Sequence, residues 1–146
     1  MGRIIGIDFG TKRIGLAVTD PMQIIASPLD TVENREFDNY ISLYLKKEKV
    51  EAFVIGYPVQ MNNQASESVR FVNTFIKKLK KNYPDIEIHL IDERFTSQMA
   101  MRSMIEGRMK KKDRKDKSNV DKISASLILQ SYLARKSNIN ENNIVK

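Results

Sequence analysis

Apolar residues fall in short dense runs whose spacing switches between a period of two and a helical period, and the switches divide the chain into elements. Arg3-Ile4-Ile5-Gly6-Ile7-Asp8-Phe9 reads as a short strand with one carboxylate near its end. A tight turn, Gly10-Thr11-Lys12-Arg13, leads into the returning strand Ile14-Gly15-Leu16-Ala17-Val18-Thr19-Asp20, so the chain opens on a β-hairpin. Gln23-Ile24-Ile25-Ala26-Ser27 reads as a third strand ending at Pro28. Between Asn34 and Lys49 the apolar positions Phe37, Ile41, Tyr44 and Leu45 have helical spacing. Glu51-Ala52-Phe53-Val54-Ile55-Gly56-Tyr57, closed by Pro58, has the unbroken apolar character of a buried strand. Past the polar residues Asn62, Asn63 and Gln64, the stripe Ala65, Val69, Val72, Phe75, Ile76 and Leu79 predicts an amphipathic helix ending near Asn82. Pro84-Asp85 breaks it, and Ile86-Glu87-Ile88-His89-Leu90-Ile91 is the fifth strand. A short helix from Ser97 to Glu106, stopped by Gly107, and a final helix from Val120 to Lys136 complete the reading.

Early antiparallel strands followed by alternating helices and strands predict an α/β fold: a five-stranded mixed sheet with helices on both faces. Residues 1–136 make one domain, and the Asn-rich segment 137–146 is expected to fray. The absence of cysteine excludes disulfides, zinc-thiolate sites and thiol nucleophiles. No apolar run reaches the length of a membrane span and no apolar leader opens the sequence, so a cytoplasmic protein without a membrane partner is expected.

Charge narrows the class of partner. The formal net charge is +7, which favours polyanions. Much of it is concentrated between Gly107 and Lys117, where Arg108, Lys110, Lys111, Lys112, Arg114, Lys115 and Lys117 face only Asp113 and Asp116. Such a segment is either a solvated linker or a loop that meets a phosphate backbone.

The carboxylates give the chemistry. An ionised Asp8 inside a strand is costly unless paired or bound to a metal. The turn beside it offers a hydroxyl (Thr11), two cations (Lys12, Arg13) and the bare backbone of Gly10. Asp92-Glu93 follows the fifth strand, where open α/β sheets place ligands, and alternation lets only one of the two face the crevice. Asp121 opens the last helix beside Ser124 and Ala125, as a helix cap or as a third ligand. Clustered carboxylates of this kind suit Mg²⁺ or Mn²⁺, and metal ions so held can drive in-line phosphoryl displacement. Thr96 and Ser97 offer hydroxyls and amides, either as an ordinary helix cap or to one phosphate. His89, in the alternating fifth strand, reads as a packed residue, and Met99, Met101, Met104 and Met109 as helix packing. Gly10 and Gly15 are spaced as in a P-loop, but Leu16-Ala17 stands where Lys-Ser/Thr is required. An actin- or Hsp70-like ATPase shares the Asp-x-Gly-Thr hairpin, but this chain is too short for that paired-domain clamp.

Four segments in order resemble the YqgF family of the RNase H-like fold, described as Holliday-junction resolvases or pre-16S rRNA nucleases. They are Gly6-Ile7-Asp8-Phe9-Gly10-Thr11-Lys12-Arg13-Ile14-Gly15, then Ile55-Gly56-Tyr57-Pro58, then Asp92-Glu93-Arg94-Phe95-Thr96-Ser97, and the run from Asp121 to Leu133. The resemblance covers Ile4 to about Leu133 and implies that Asp8, Glu93 and Asp121 are metal-binding catalytic acids. It selects Glu93 over Asp92. Ser124 and Ser126 stand where alanines are expected, a small packing change that leaves the acids intact. The implied activity is metal-dependent cleavage of structured nucleic acid, precursor rRNA or branched DNA. The alternative is a non-catalytic nucleic-acid-binding protein acting in rRNA processing. A homodimer would be needed to cut both strands of a junction symmetrically.

Overall fold

A computed structural model of the chain describes residues 2–58, 67–92 and 117–145. The strands are β1 (Arg3–Asp8), β2 (Arg13–Thr19), β3 (Ala26–Glu33), β4 (Val50–Tyr57) and β5 (Glu87–Asp92). Helix α1 (Phe37–Lys47) follows a 3₁₀ turn at Asn34–Glu36, α2 is Glu67–Asn82, and α3 is Lys117–Val145. The five strands form one sheet in the order β3-β2-β1-β4-β5. Antiparallel pairing joins β3, β2 and β1, whereas β4 and β5 continue the sheet in parallel with β1. The carboxyl ends of β1, β4 and β5 therefore lie along one border of the sheet.

Alternation along the strands fills two cores. Ile5 and Ile7 of β1, Ile14 and Leu16 of β2, and Phe53 and Ile55 of β4 point to one face, where Phe37, Ile41, Val72, Ile76 and Leu79 of α1 and α2 cover them. Ile4, Ala17, Val54 and Ile91 point to the other and meet Ala125, Ile128 and Leu129 of α3. This two-sided burial explains why β1 and β4 read as unbroken apolar runs.

One element differs from expectation. The third strand starts later and runs straight through Pro28. Its edge position leaves the missing N–H without a required partner, and the β2–β3 register shifts between Leu16 and Ala17, next to Pro28. The apolar residues expected to begin that strand lie instead in a turn, with Ile24 and Ile25 68% and 64% exposed. Asp20 holds that turn by accepting the amides of Met22, Ile24 and Ile25 at 3.1, 2.8 and 2.8 Å. These bonds, that from Ile25 foremost, keep its carboxyl below the ordinary range. Helix α3 runs through Val145, in a stretch that contains neither Gly nor Pro to stop a helix. The short helix expected from Ser97 to Glu106 lies outside the described residues. No helix among the described residues is long and apolar enough to cross a membrane.

Candidate active site

The site is built on Gly15. Across the β1–β2 ladder Gly15 is the direct partner of Asp8. Helix α3 crosses β2 so closely there that a Cβ on Gly15 would stand 2.1 Å from the carbonyl oxygen of Asp121. Only a residue without a side chain permits that approach. Asp8 lies on the same side of the sheet: Ile4 packs against α3, a Cβ on Gly6 would meet Ala125 and Leu129, and period-two alternation continues to Asp8. The first and last acids, 113 positions apart, are thereby brought to one place on the α3 face.

Arg13 closes this corner. Its Nε donates to Oδ2 of Asp121 at 2.9 Å, with the two side chains 39% and 22% exposed. The turn that carries Arg13 is fixed from a distance. Asn34 donates its backbone N–H to the Lys12 carbonyl at 2.9 Å and its side-chain amide to the Gly10 carbonyl at 2.8 Å. Gly10 has a steric reason of its own, since a Cβ there would lie 2.4 Å from the Arg13 carbonyl oxygen. Thr11 and Lys12 are exposed at the tip. The turn thus presents a hydroxyl and an ammonium to solvent, while its guanidinium is engaged with an acid.

At the far side of the border, Tyr57 pairs with Asp92. His89 stacks on Tyr132 of α3 at 5.0 Å and Ile91 packs with the α3 core, whereas Ile88 belongs to the opposite core. By that alternation Asp92 lies on the face away from α3, and from Asp8 and Asp121. His89 is a packed strand residue, as its setting predicted; its Nε2 lies 3.1 Å from Oε2 of Glu87. Glu93, Thr96, Ser97, Arg108, Lys110, Lys111, Lys112, Arg114 and Lys115 lie outside the described residues.

The donor set can be tested against the expected metal. Among the described residues no group of three His, Cys, Asp or Glu comes together. The two acids placed about Gly15 offer only oxygen donors, which suits a hard divalent cation such as Mg²⁺ or Mn²⁺ better than zinc or copper. Asp121 already accepts a cation, the Arg13 guanidinium, so the position is one that positive charge stabilises.

Asp8, Arg13 and Asp121 are candidates on the sequence alone, whereas the parts played by Asn34 and Gly15 emerge from the structure. Asn34 opens the 3₁₀ turn before α1, and its side chain reaches back across the chain to the hairpin turn. The signal for Gly15 was its place in an otherwise β-branched and aliphatic strand, a pattern that marks close backbone approach.

The family model RuvX, described as Holliday junction resolvase, matches residues 2–135. The chain belongs to this family. RuvX relatives agree over nearly their full length. Proteins of Amoebophilus asiaticus and Bacteroides fragilis, both bearing the name "Putative pre-16S rRNA nuclease", are 51% and 52% identical to it over 134 and 136 residues. These alignments cover 92% and 93% of this chain and 95% and 99% of the relatives. Among solved structures, Thermus thermophilus RuvC in complex with a Holliday junction superposes with a TM-score of 0.54 at 15% identity, covering 93% of this chain and 96% of RuvC. That likeness establishes the RNase H-like fold. As a RuvX member the chain is a nuclease, a hydrolase acting on phosphodiester bonds.

Proposed function

We propose that this RuvX protein is a metal-dependent endonuclease of structured nucleic acid, with Asp8, Glu93 and Asp121 as its catalytic acids. The observation that carries the reading is the passage of α3 over Gly15, which sets Asp121 beside the strand position opposite Asp8. Glu93 joins them through the family resemblance, and in the sequence it directly follows Asp92, the last residue of β5. Mg²⁺ or Mn²⁺ held by these carboxylates would activate water and stabilise the leaving oxygen of the cleaved phosphodiester. The chain's own residues do the rest. Lys12 and Thr11 at the turn tip, with Thr96 and Ser97, hold the phosphates flanking the cleaved bond. Arg13 balances the charge of Asp121. The cations Arg108, Lys110, Lys111, Lys112, Arg114 and Lys115 draw in the strand.

Precursor 16S rRNA, cut toward its 5′ end, is the favoured substrate, because relatives at about half identity across their whole length carry that name. Branched DNA is the second reading, carried by the family description, and it would call for a homodimer. The test is cleavage of both substrates with Mg²⁺ or Mn²⁺, with excess chelator, and with Asp8→Asn. Loss of cleavage with chelator and in the variant is expected. Cleavage that survives either would refute the metal-acid mechanism. Binding without turnover by wild-type protein would instead favour the non-catalytic nucleic-acid-binding role.

A further inference from the structure

The strand that presents Asp8 to one face of the sheet presents Phe9 to the other, and there the surface is hollow. Two cavities of about 280 and 350 Å³ lie beside the hairpin turn and share Phe9, Thr11 and Phe71 in their walls. The first extends toward Gly56 and Pro58 at the end of β4, the second toward Asn34 and the Asp38–Lys78 pair between α1 and α2. Together they make one trench along the border that also carries the acids.

Its lining is aromatic and layered. Phe75 packs on Phe9 at 4.7 Å and on Phe37 at 5.0 Å, forming a fixed floor. Phe71, one helical turn before Phe75, is 50% exposed above that floor. The rim is polar: the exposed Thr11, Asn34, and Lys78 bonded to Asp38 at 2.8 Å, a bond that raises the ammonium's pKa and keeps it charged.

We propose that this trench is a stacking site for one unpaired nucleobase next to the cleaved phosphate, with Phe71 as its platform. The inference rests on the nuclease reading above and adds to it the kind of strand the enzyme selects. Three observations favour a base over any other occupant. A half-exposed phenyl beside a rigid aromatic floor offers the π-face on which every base can stack. The volume, at the lower end for ligand pockets, suits a single nucleoside rather than a peptide segment or a duplex. The trench is continuous with the turn that offers Thr11 and Lys12 to phosphate, and Asp8 and Phe9 are consecutive residues on opposite faces. A strand crossing the border can therefore place a phosphate on the acid side while its neighbouring base drops into the trench. A base held there cannot be paired, so the site favours single-stranded or splayed nucleic acid over duplex.

The experiment uses the full chain in EDTA, so that binding is read without cleavage. A single-stranded oligoribonucleotide carrying one central 2-aminopurine, and the same strand in a duplex, serve as probes. Affinity is followed by anisotropy and stacking by quenching of the 2-aminopurine. Wild-type protein should quench the single strand and bind it more tightly than the duplex. Phe71→Ala should lose quenching and weaken single-strand binding about tenfold, within the range seen for removing one base-stacking aromatic, with duplex affinity unchanged. Phe71→Trp should restore both signals. Equal losses on both probes, or undiminished binding and quenching by Phe71→Ala, would overturn the proposal while leaving the nuclease reading standing. Failure of wild-type protein to bind the single strand would likewise overturn the proposal, and the cleavage assay above decides the metal-acid reading separately. Melting of each variant confirms that a change reflects the trench, since Phe71 is half in solvent and its truncation spares the core.

Discussion

Gly15→Ala is the sharpest test of how the acids are assembled. The added methyl would stand 2.1 Å from the Asp121 carbonyl oxygen, 2.5 Å from its carbon and 3.0 Å from its Cβ. Close carbon–oxygen contacts in proteins lie at roughly 3.3–3.6 Å, so α3 must retreat by about 1 Å. Two of the three atoms are backbone, and no rotamer change relieves the clash. Forced overpacking of this kind costs about 1–3 kcal/mol. The lower entropy of an unfolded alanine returns roughly 0.4–1 kcal/mol of that. For a domain of this size the net loss corresponds to a fall in Tm of up to about 10 °C. The effect on rate should be larger than stability alone implies, because a misplacement of about 1 Å at reacting groups can cost 10²-fold. Gly6→Ala is the matched control. It presses on the Ala125 carbonyl at 2.8 Å and on Leu129 Cβ at 3.0 Å, along the same helix but a turn or more from Asp121. Thermal melts and saturating-substrate cleavage rates of both variants decide the matter. A Gly15→Ala protein with wild-type melting and rate would refute the close crossing. Equal rate losses in the two variants would show that α3 docking in general, and not the placement of Asp121, limits turnover.

Three further outcomes are expected. Glu93→Gln should lower the cleavage rate by orders of magnitude, whereas Asp92→Asn, on the face away from α3, should act mainly on stability; the reverse pattern in parallel rate and melting measurements would overturn the parity argument. Arg13→Gln should tighten Mn²⁺ binding, read by calorimetry, by up to about fivefold, because it frees Asp121 from a partly exposed pair worth roughly 0.2–1 kcal/mol. Weaker Mn²⁺ binding would instead show that Arg13 holds the carboxylate in its ligating position. Replacing Lys110, Lys111 and Lys112 with Ser should flatten the slope of log affinity against log salt by up to about 3 units on duplex DNA; an unchanged slope would show that this segment does not meet the phosphate backbone.

What could be read from the chain follows from the range of the forces involved. The hairpin, the buried β4 and the amphipathic α2 are local patterns, visible because each element repeats its own burial period. Asp8 stood out for the same reason, as the one carboxylate in an apolar strand. The choice of Glu93 over Asp92 came from a resemblance, and the strand alternation around His89 and Ile91 now gives the placement of Asp92 a physical basis. Contacts between distant segments were not legible. Nothing near Arg13 announces a partner 108 positions away, nor does Asn34 announce that it clamps the turn at Gly10 and Lys12. The turn before β3 misled in another way. Ile24 and Ile25 look like strand residues, but Asp20 supplies the hydrogen bonds that a neighbouring strand would otherwise provide. The trench is hidden because Phe9, Phe37, Phe71 and Phe75 come from the hairpin turn and two helices, and most read as ordinary core. Phe71 lies off the apolar stripe of α2, and an off-stripe phenylalanine is the trace that the trench leaves in the sequence.

The register of β1 is consequently constrained from both faces at once. Even-numbered positions meet α3, where Gly6 admits the helix and Asp8 supplies a carboxylate; odd-numbered ones meet α1 and α2, where Ile5 and Ile7 fill the core and Phe9 forms the trench floor. Because the side-chain period of a strand is two, a slip of one residue would exchange every one of these assignments. Ile7 would then occupy the acid position and Asp8 would face an aromatic floor that cannot solvate it. Gly15, held against Asp121 by the crossing of α3 over β2, would lose Asp8 as its partner in the same step. A single short strand thus ties the chemistry on one face to base recognition on the other. Activity and strand selectivity should therefore fail together when β1 is disturbed, and separately when only Asp8 or only Phe71 is changed.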